Sequence, residues 1–126
     1  GSVLPYDGLD VEKWVVDNCY NYGYIVRYPQ NKLEITGEHY CPWHIRYVGF
    51  PHSFVMNANK WCLEEYIGYL HSFTRDNPFL CSVNDRNYEI YSVPSMGDVK
   101  YLSVPLAGNY EISGDGSTGY IITIEK

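Results

Sequence analysis

Apolar residues near the start of the chain fall at Val11, Trp14, Val15, Cys19 and Tyr22, a spacing that gathers them on one face of a helix. Asp10 stands where a side-chain cap is wanted and Gly23 where a left-handed stop is wanted, so the pattern predicts a helix between them. The period then changes. YIVRYP, from Tyr24, reads as a strand, and PQNK as a turn that returns the chain through LEIT as a hairpin.

The stretch EHYCPWHIRYVG, Glu38 to Gly49, contains Pro42, which cannot donate to a ladder, and continues with β-branched and aromatic residues. It predicts a third strand that bends as it enters. Pro51 suits the opening of a short helix reaching Asn59, and WCLEEYIGYL turns Cys62, Tyr66, Ile67 and Leu70 toward a core. From Phe73 onward the runs NYEIYSVP, VKYLSVP, NYEIS and GYIITIE alternate between Gly, Pro, Asp and Ser turns. GDGSTG has no lysine and no following helix, so it reads as a hairpin turn rather than a phosphate loop. The fold class is α+β. A helix, a small antiparallel sheet and two closing helices occupy residues 1–72, and a β-rich extension packed on them occupies 73–126.

At 126 residues the chain fits one domain or one compact piece of a larger one. Hydrophobic residues at 45% against 19% charged exclude a disordered tail. Nine basic against 15 acidic residues give a net charge of -6, which excludes a broad electrostatic attraction to nucleic acid or anionic lipid. No apolar run approaches a membrane span, and no signal segment opens the chain. Gly1-Ser2 reads as a cloning remnant of something longer. Fourteen tyrosines suit half-buried strands first, with a cleft for sugars or peptides as the alternative. Cys19, Cys41, Cys62 and Cys81 form no C-x-x-C pair, and a chain this apolar does not require bridges, so mostly buried free thiols are expected.

A zinc hydrolase needs three protein ligands, an open position for water and a carboxylate to take the water's proton. His44 is a candidate ligand, although a lone strand histidine is more often structural. With Cys41 it forms C-x-x-H, to which His39, His52 or the other cysteines would have to be added, and no structural zinc spacing is matched. A Cys41–His44 nucleophilic pair lacks a third orienting group. Arg46, on the same strand face as His44, suits a bidentate grip on a carboxylate such as a free C-terminus, or an ordinary ion pair with Glu34 or Glu38. Glu64 and Glu65 read as a solvated helix face with no catalytic part.

YGYIVRYPQNKLEITG, PWHIRYVGFPH and CLEEYIGYL together resemble the C-terminal half of VanY-type D-alanyl-D-alanine carboxypeptidases, hedgehog-like zinc peptidases that trim peptidoglycan stem peptides. The likeness runs from about Asp10 to Leu70. NYEIYSVP, YLSVP and YEISGDGSTGYIIT are similar to the C-terminal extension that some of these enzymes carry. In that family a His and an Asp in an S-x-H-x-x-G-x-A-x-D segment bind zinc, and E-P-W-H supplies the catalytic Glu and the third ligand. The sequence here contains no such segment. The resemblance places His44 at the third metal ligand, Trp43 and Arg46 at substrate-shaping positions, and Cys41 at the position of the Glu.

A thiol cannot accept and return a proton as that carboxylate does, a role worth about 10²- to 10⁴-fold. A Cys41 thiolate would instead bind the zinc and close its open position, and Glu38, three residues earlier, is not expected to substitute. The resemblance therefore implies a peptidase core with a degenerate active site, inactive as this chain alone. The alternative is a non-catalytic module that binds peptidoglycan peptides through Trp43, Arg46 and the tyrosines, or a purely structural one. It also implies a place in the cell envelope or outside the cell, and an exposed sheet edge that invites a homodimer.

Overall fold

The computed structural model describes residues 9–94, 109–116 and 119–126. The chain divides into two compact units, Gly1–Glu64 and Glu65–Lys126.

In the first unit, helix α1 (Leu9–Asn18) tightens into a 3-10 turn over Cys19–Tyr22 and stops at Gly23, as the sequence predicts. Gly23 has φ 86°, and its N–H bonds back to the carbonyls of Cys19 and Tyr20. A Cβ there would lie 2.8 Å from the Tyr47 ring and 3.3 Å from the Gly49 Cα. Only glycine serves both demands, and its smallness lets the chain enter strand β1 (Tyr24–Tyr28) hard against its partner.

That partner differs from the expected one. LEIT does not return as a strand: Leu33–Thr36 form the short helix α2, and β1 pairs antiparallel with β2 (Cys41–Tyr47). Asn31 takes a left-handed φ of 64° and turns the chain, after which the Lys32 carbonyl receives the N–H groups of Ile35 and Thr36, both at 2.9 Å. Gly37, at φ 79°, closes the turn onto the Leu33 carbonyl. In the ribbon Tyr24 faces Tyr47, Ile25 faces Arg46 and Val26 faces Ile45, and then the register shifts so that Tyr28 faces Cys41. Pro42 lies in the shifted segment, the bend its missing N–H predicts.

Helix α3 (His52–Asn59) follows Pro51 and buries His52, Ser53, Val55 and Met56. The Ser53 hydroxyl donates to the Tyr20 carbonyl at 2.8 Å and ties α3 to the 3-10 turn. Helix α4 (Leu63–Leu70) begins two residues later than the sequence pattern suggests; Cys62, Tyr66 and Leu70 are buried as expected, whereas Ile67 is half-buried.

The second unit holds a sheet of order β3-β4-β6-β5, formed by Phe79–Val83, Arg86–Pro94, Gly119–Glu125 and Asn109–Gly114 respectively, all neighbours antiparallel. Tyr91, Ile122 and Ile124 form its core, with Phe73 and Val93 packed against them. Three of the predicted runs are strands. VKYLSVP lies outside the described residues. β3 is an addition, joined to β4 through Asn84 and Asp85 at φ 53° and 63°, the left-handed pair that a tight hairpin requires. At the β5–β6 turn Asp115 donates its N–H to the Gly119 carbonyl, accepts the Gly119 N–H on Oδ1 and meets His71 Nε2 on Oδ2 at 3.0 Å.

Candidate functional site

Cys41, Trp43, His44 and Arg46, the residues that the family resemblance singles out, all lie on β2, and the β1–β2 ribbon positions them. Alternation along a strand places His44 and Arg46 on one face and Cys41, Trp43, Ile45 and Tyr47 on the other, apart from the irregularity around Pro42. Trp43 is 76% exposed, an unusual position for an indole and one that offers a flat surface to a ligand. His44 and Arg46 are also exposed, and Cys41 is half-buried.

His44 is held by a chain of contacts reaching to α4. Its ring meets Tyr28 edge to face, with centroids 5.1 Å apart and planes at 79°. The Arg27 guanidinium stands 4.8 Å from the centroid of the same Tyr28 ring. Arg27 in turn grips Glu64 with two bonds, Nη1 to Oε1 at 2.8 Å and Nη2 to Oε2 at 3.0 Å. Burial pushes the Glu64 carboxyl up, but the Arg27 hydrogen bond, a backbone hydrogen bond and the charges of Arg27 and Arg46 together hold it below the usual value of 4.5. Glu64 is therefore no solvated-face residue. It is a half-buried anchor for Arg27.

Tyr28, Arg27 and Glu64 were not legible as site residues. A lone arginine within an apolar strand was the available signal, since a charge there needs a partner.

The other candidate ligands do not join His44. His52 is a core histidine, 7% exposed, and burial pushes its pKa down to about 4, so it is neutral at pH 7. Cys19 and Cys62 are buried, Cys41 and Cys81 half-buried, and none of the four is in a disulfide. Among the described residues no three His, Cys, Asp or Glu side chains converge on a point where a metal ion would sit. Among the described residues, the donor set does not by itself make up the three protein ligands that a catalytic zinc requires.

Four similarities bear on this chain. Residues 6–50 match the family described as VanY, D-alanyl-D-alanine carboxypeptidase. The chain is 44% identical over 112 residues to a D-alanyl-D-alanine carboxypeptidase of Enterococcus faecium, a match covering 89% of this chain and 36% of that protein. Over 50 residues it is 66% identical to the bifunctional D-Ala-D-Ala dipeptidase and carboxypeptidase VanXYC of Enterococcus gallinarum, covering 40% of this chain and 26% of the other. In structure it superposes on the vancomycin resistance D,D-dipeptidase VanXYg, solved with a D-Ala-D-Ala phosphinate analogue, with a TM-score of 0.83 and 37% identity over 97% of this chain and 48% of that one. The fold is thus that of part of a hedgehog-like peptidase, and the chain spans about a third of the enterococcal carboxypeptidase it matches.

Proposed function

We propose that this chain, which resembles part of the VanY-type D-alanyl-D-alanine carboxypeptidases, carries the substrate-facing ribbon of such an enzyme and binds D-Ala-terminated peptidoglycan peptides without hydrolysing them. The observation that carries the reading is the donor set: among the described residues no three metal-ligating side chains converge, and Cys41 stands where the resembled family has its glutamate. Arg46 receives the peptide carboxylate, because Glu64, the acid its charge acts upon, already has both oxygens held by Arg27. Trp43 offers its face to the peptide, and His44 stands beside it, fixed by Tyr28. The substrate class sets the location at the cell envelope. No helix among the described residues is long and apolar enough to cross a membrane.

The high structural agreement with VanXYg favours a second reading, in which the same ribbon works in a complete hydrolase whose remaining part supplies the other zinc ligands. One experiment separates the two. The zinc content of the purified chain is measured with and without His44→Ala, alongside D-Ala release from a pentapeptide ending in D-Ala-D-Ala and binding of that pentapeptide by calorimetry. The non-hydrolytic reading expects binding that Arg46→Ala abolishes, no stoichiometric zinc and no release. Near-stoichiometric zinc that is lost with His44→Ala, together with D-Ala release, overturns it.

A further inference from the structure

The first unit contains a groove of about 460 Å³ that none of Cys41, Trp43, His44 or Arg46 lines. Its volume is in the range of ordinary ligand sites. Three successive residues of β1, Tyr24, Ile25 and Val26, border it. Successive strand residues point to opposite faces, so a cavity touching all three runs along the strand's edge. Nothing from β2 lines it, which identifies the edge as the one turned away from β2.

The backbone follows the same geometry. The Gly23 carbonyl accepts the Val48 N–H at 2.8 Å, so Gly23 is turned toward β2. In an antiparallel ladder the direction alternates; Ile25 is therefore also turned toward β2, and Tyr24 and Val26 direct their N–H and C=O groups into the groove. Among the described residues no strand pairs with β1 on that side.

The walls supply the rest of a peptide site. Val16, Cys19 and Met56 give an apolar floor, while Asn31, Asn57 and Lys60 give polar groups that can receive a chain end. Lys32 also borders it, and no Asp or Glu does. Glu12 and Asp17 act on Tyr40 at the border, but Asp17 is gripped by Lys13 at 2.6 Å. Its lining thus carries two lysines and no carboxylate, with Glu12 nearby.

We infer that this groove binds an extended peptide by strand addition to the edge of β1 with which no described strand pairs, with a peptide carboxylate received by Lys60. Five residues of β1 span about 17 Å, enough for a partner strand of four or five residues. A second copy of the chain is a poor occupant, since its own β1 edge is enclosed by the same walls and both copies are acidic. The inference does not depend on the peptidase reading, because the residues of that reading lie elsewhere.

The test is fluorescence anisotropy with a fluorescein-labelled hexapeptide, Val-Thr-Val-Thr-Val-Glu with a free C-terminus. Its controls are the same peptide N-methylated at alternate residues, and a glutamine, C-terminal amide version. Lys60→Asn removes the charge while keeping a residue that tolerates the left-handed φ of 56° at that position. The expected result is about tenfold weaker binding on N-methylation and a several-fold loss with Lys60→Asn, which the amide peptide does not show. Equal binding of the N-methylated peptide, indifference to Lys60→Asn, or no binding up to about 1 mM overturns the inference. So does a concentration-dependent dimer, seen by sedimentation, that the peptide does not dissociate.

Discussion

Arg27 and Glu64 face each other squarely across 37 residues of sequence, each guanidinium nitrogen opposite one carboxylate oxygen. Two parallel bonds fix the plane of the guanidinium as well as its distance. That plane is what Tyr28 rests against, and Tyr28 is what His44 rests against. The pair thus sets the geometry of the ribbon from beneath.

Replacing Glu64 with Gln leaves the mostly buried Arg27 side chain without its counter-charge. Because Glu64 itself is about one-third exposed, solvent moderates the loss to about 1–2 kcal/mol. Urea denaturation at pH 7 measures it, and a change below about 0.5 kcal/mol would show the pair to be ornamental. The folded carboxyl lies below its ordinary value, so its contribution is present above pH 4.5 and is lost as the pH falls through the lower folded value. The variant should show a flatter stability profile in that acid range.

His52 supplies a second, separable acid dependence. Its folded pKa of about 4 lies under the ordinary 6.5, so the unfolded chain binds the proton first as the pH falls. Stability is complete above pH 6.5 and declines down to about pH 4, by up to about 3 kcal/mol. Thermal unfolding between pH 7 and 4, compared with His52→Gln, checks this. A wild-type profile flat across that window would contradict the burial of a neutral imidazole.

Gly119→Ala should destabilise the second unit. A Cβ there would sit 2.6 Å from the Val93 carbonyl oxygen and 3.1 Å from Asp115 Oδ2. Backbone cannot yield as a flexible side chain does, so a cost of about 1–3 kcal/mol is expected in the melting curve. Gly68→Ala, where no atom lies within 4 Å of the added methyl, is the control and should be neutral or slightly stabilising.

Burial pushes the Cys81 thiol up to about 11, leaving only about one thiolate per thousand molecules at pH 8. Iodoacetamide should therefore modify Cys81 in the native protein about a hundredfold more slowly than a free cysteine peptide, with a rate that climbs with pH. Peptide mapping by mass spectrometry reads this directly. Rapid labelling at pH 8 would mean that β3 opens.

Much of the architecture was legible because its determinants are local. The helix ending at Gly23, the strand bending at Pro42 and the helix after Pro51 each announce themselves within a few residues. LEIT misled because its composition suits a strand, while the left-handed Asn31 just before it commits the backbone to a helical turn. FLCSV escaped notice although Asn84-Asp85 beside it is a hairpin pair. The candidate site was legible as a row of residues on β2, through their likeness to a known family. What braces that row was not, since joining Arg27 to Glu64 depends on where β1 and the start of α4 come to lie, a matter of tertiary packing that no local pattern encodes.

The strand order of the second unit bears on how the protein is made. β6 follows the other described strands in the sequence, yet it lies inside the sheet between β4 and β5. A chain still emerging from the ribosome can form the β3–β4 hairpin, but β5 has no partner to join until residues 119–125 have appeared. Four successive buried residues, Ile121 to Ile124, then enter together. Assembly of this unit waits until residues 119–125 have emerged, and a nascent chain halted before residue 119 would expose β4 and β5 as unpaired edges for chaperones or neighbouring chains to find.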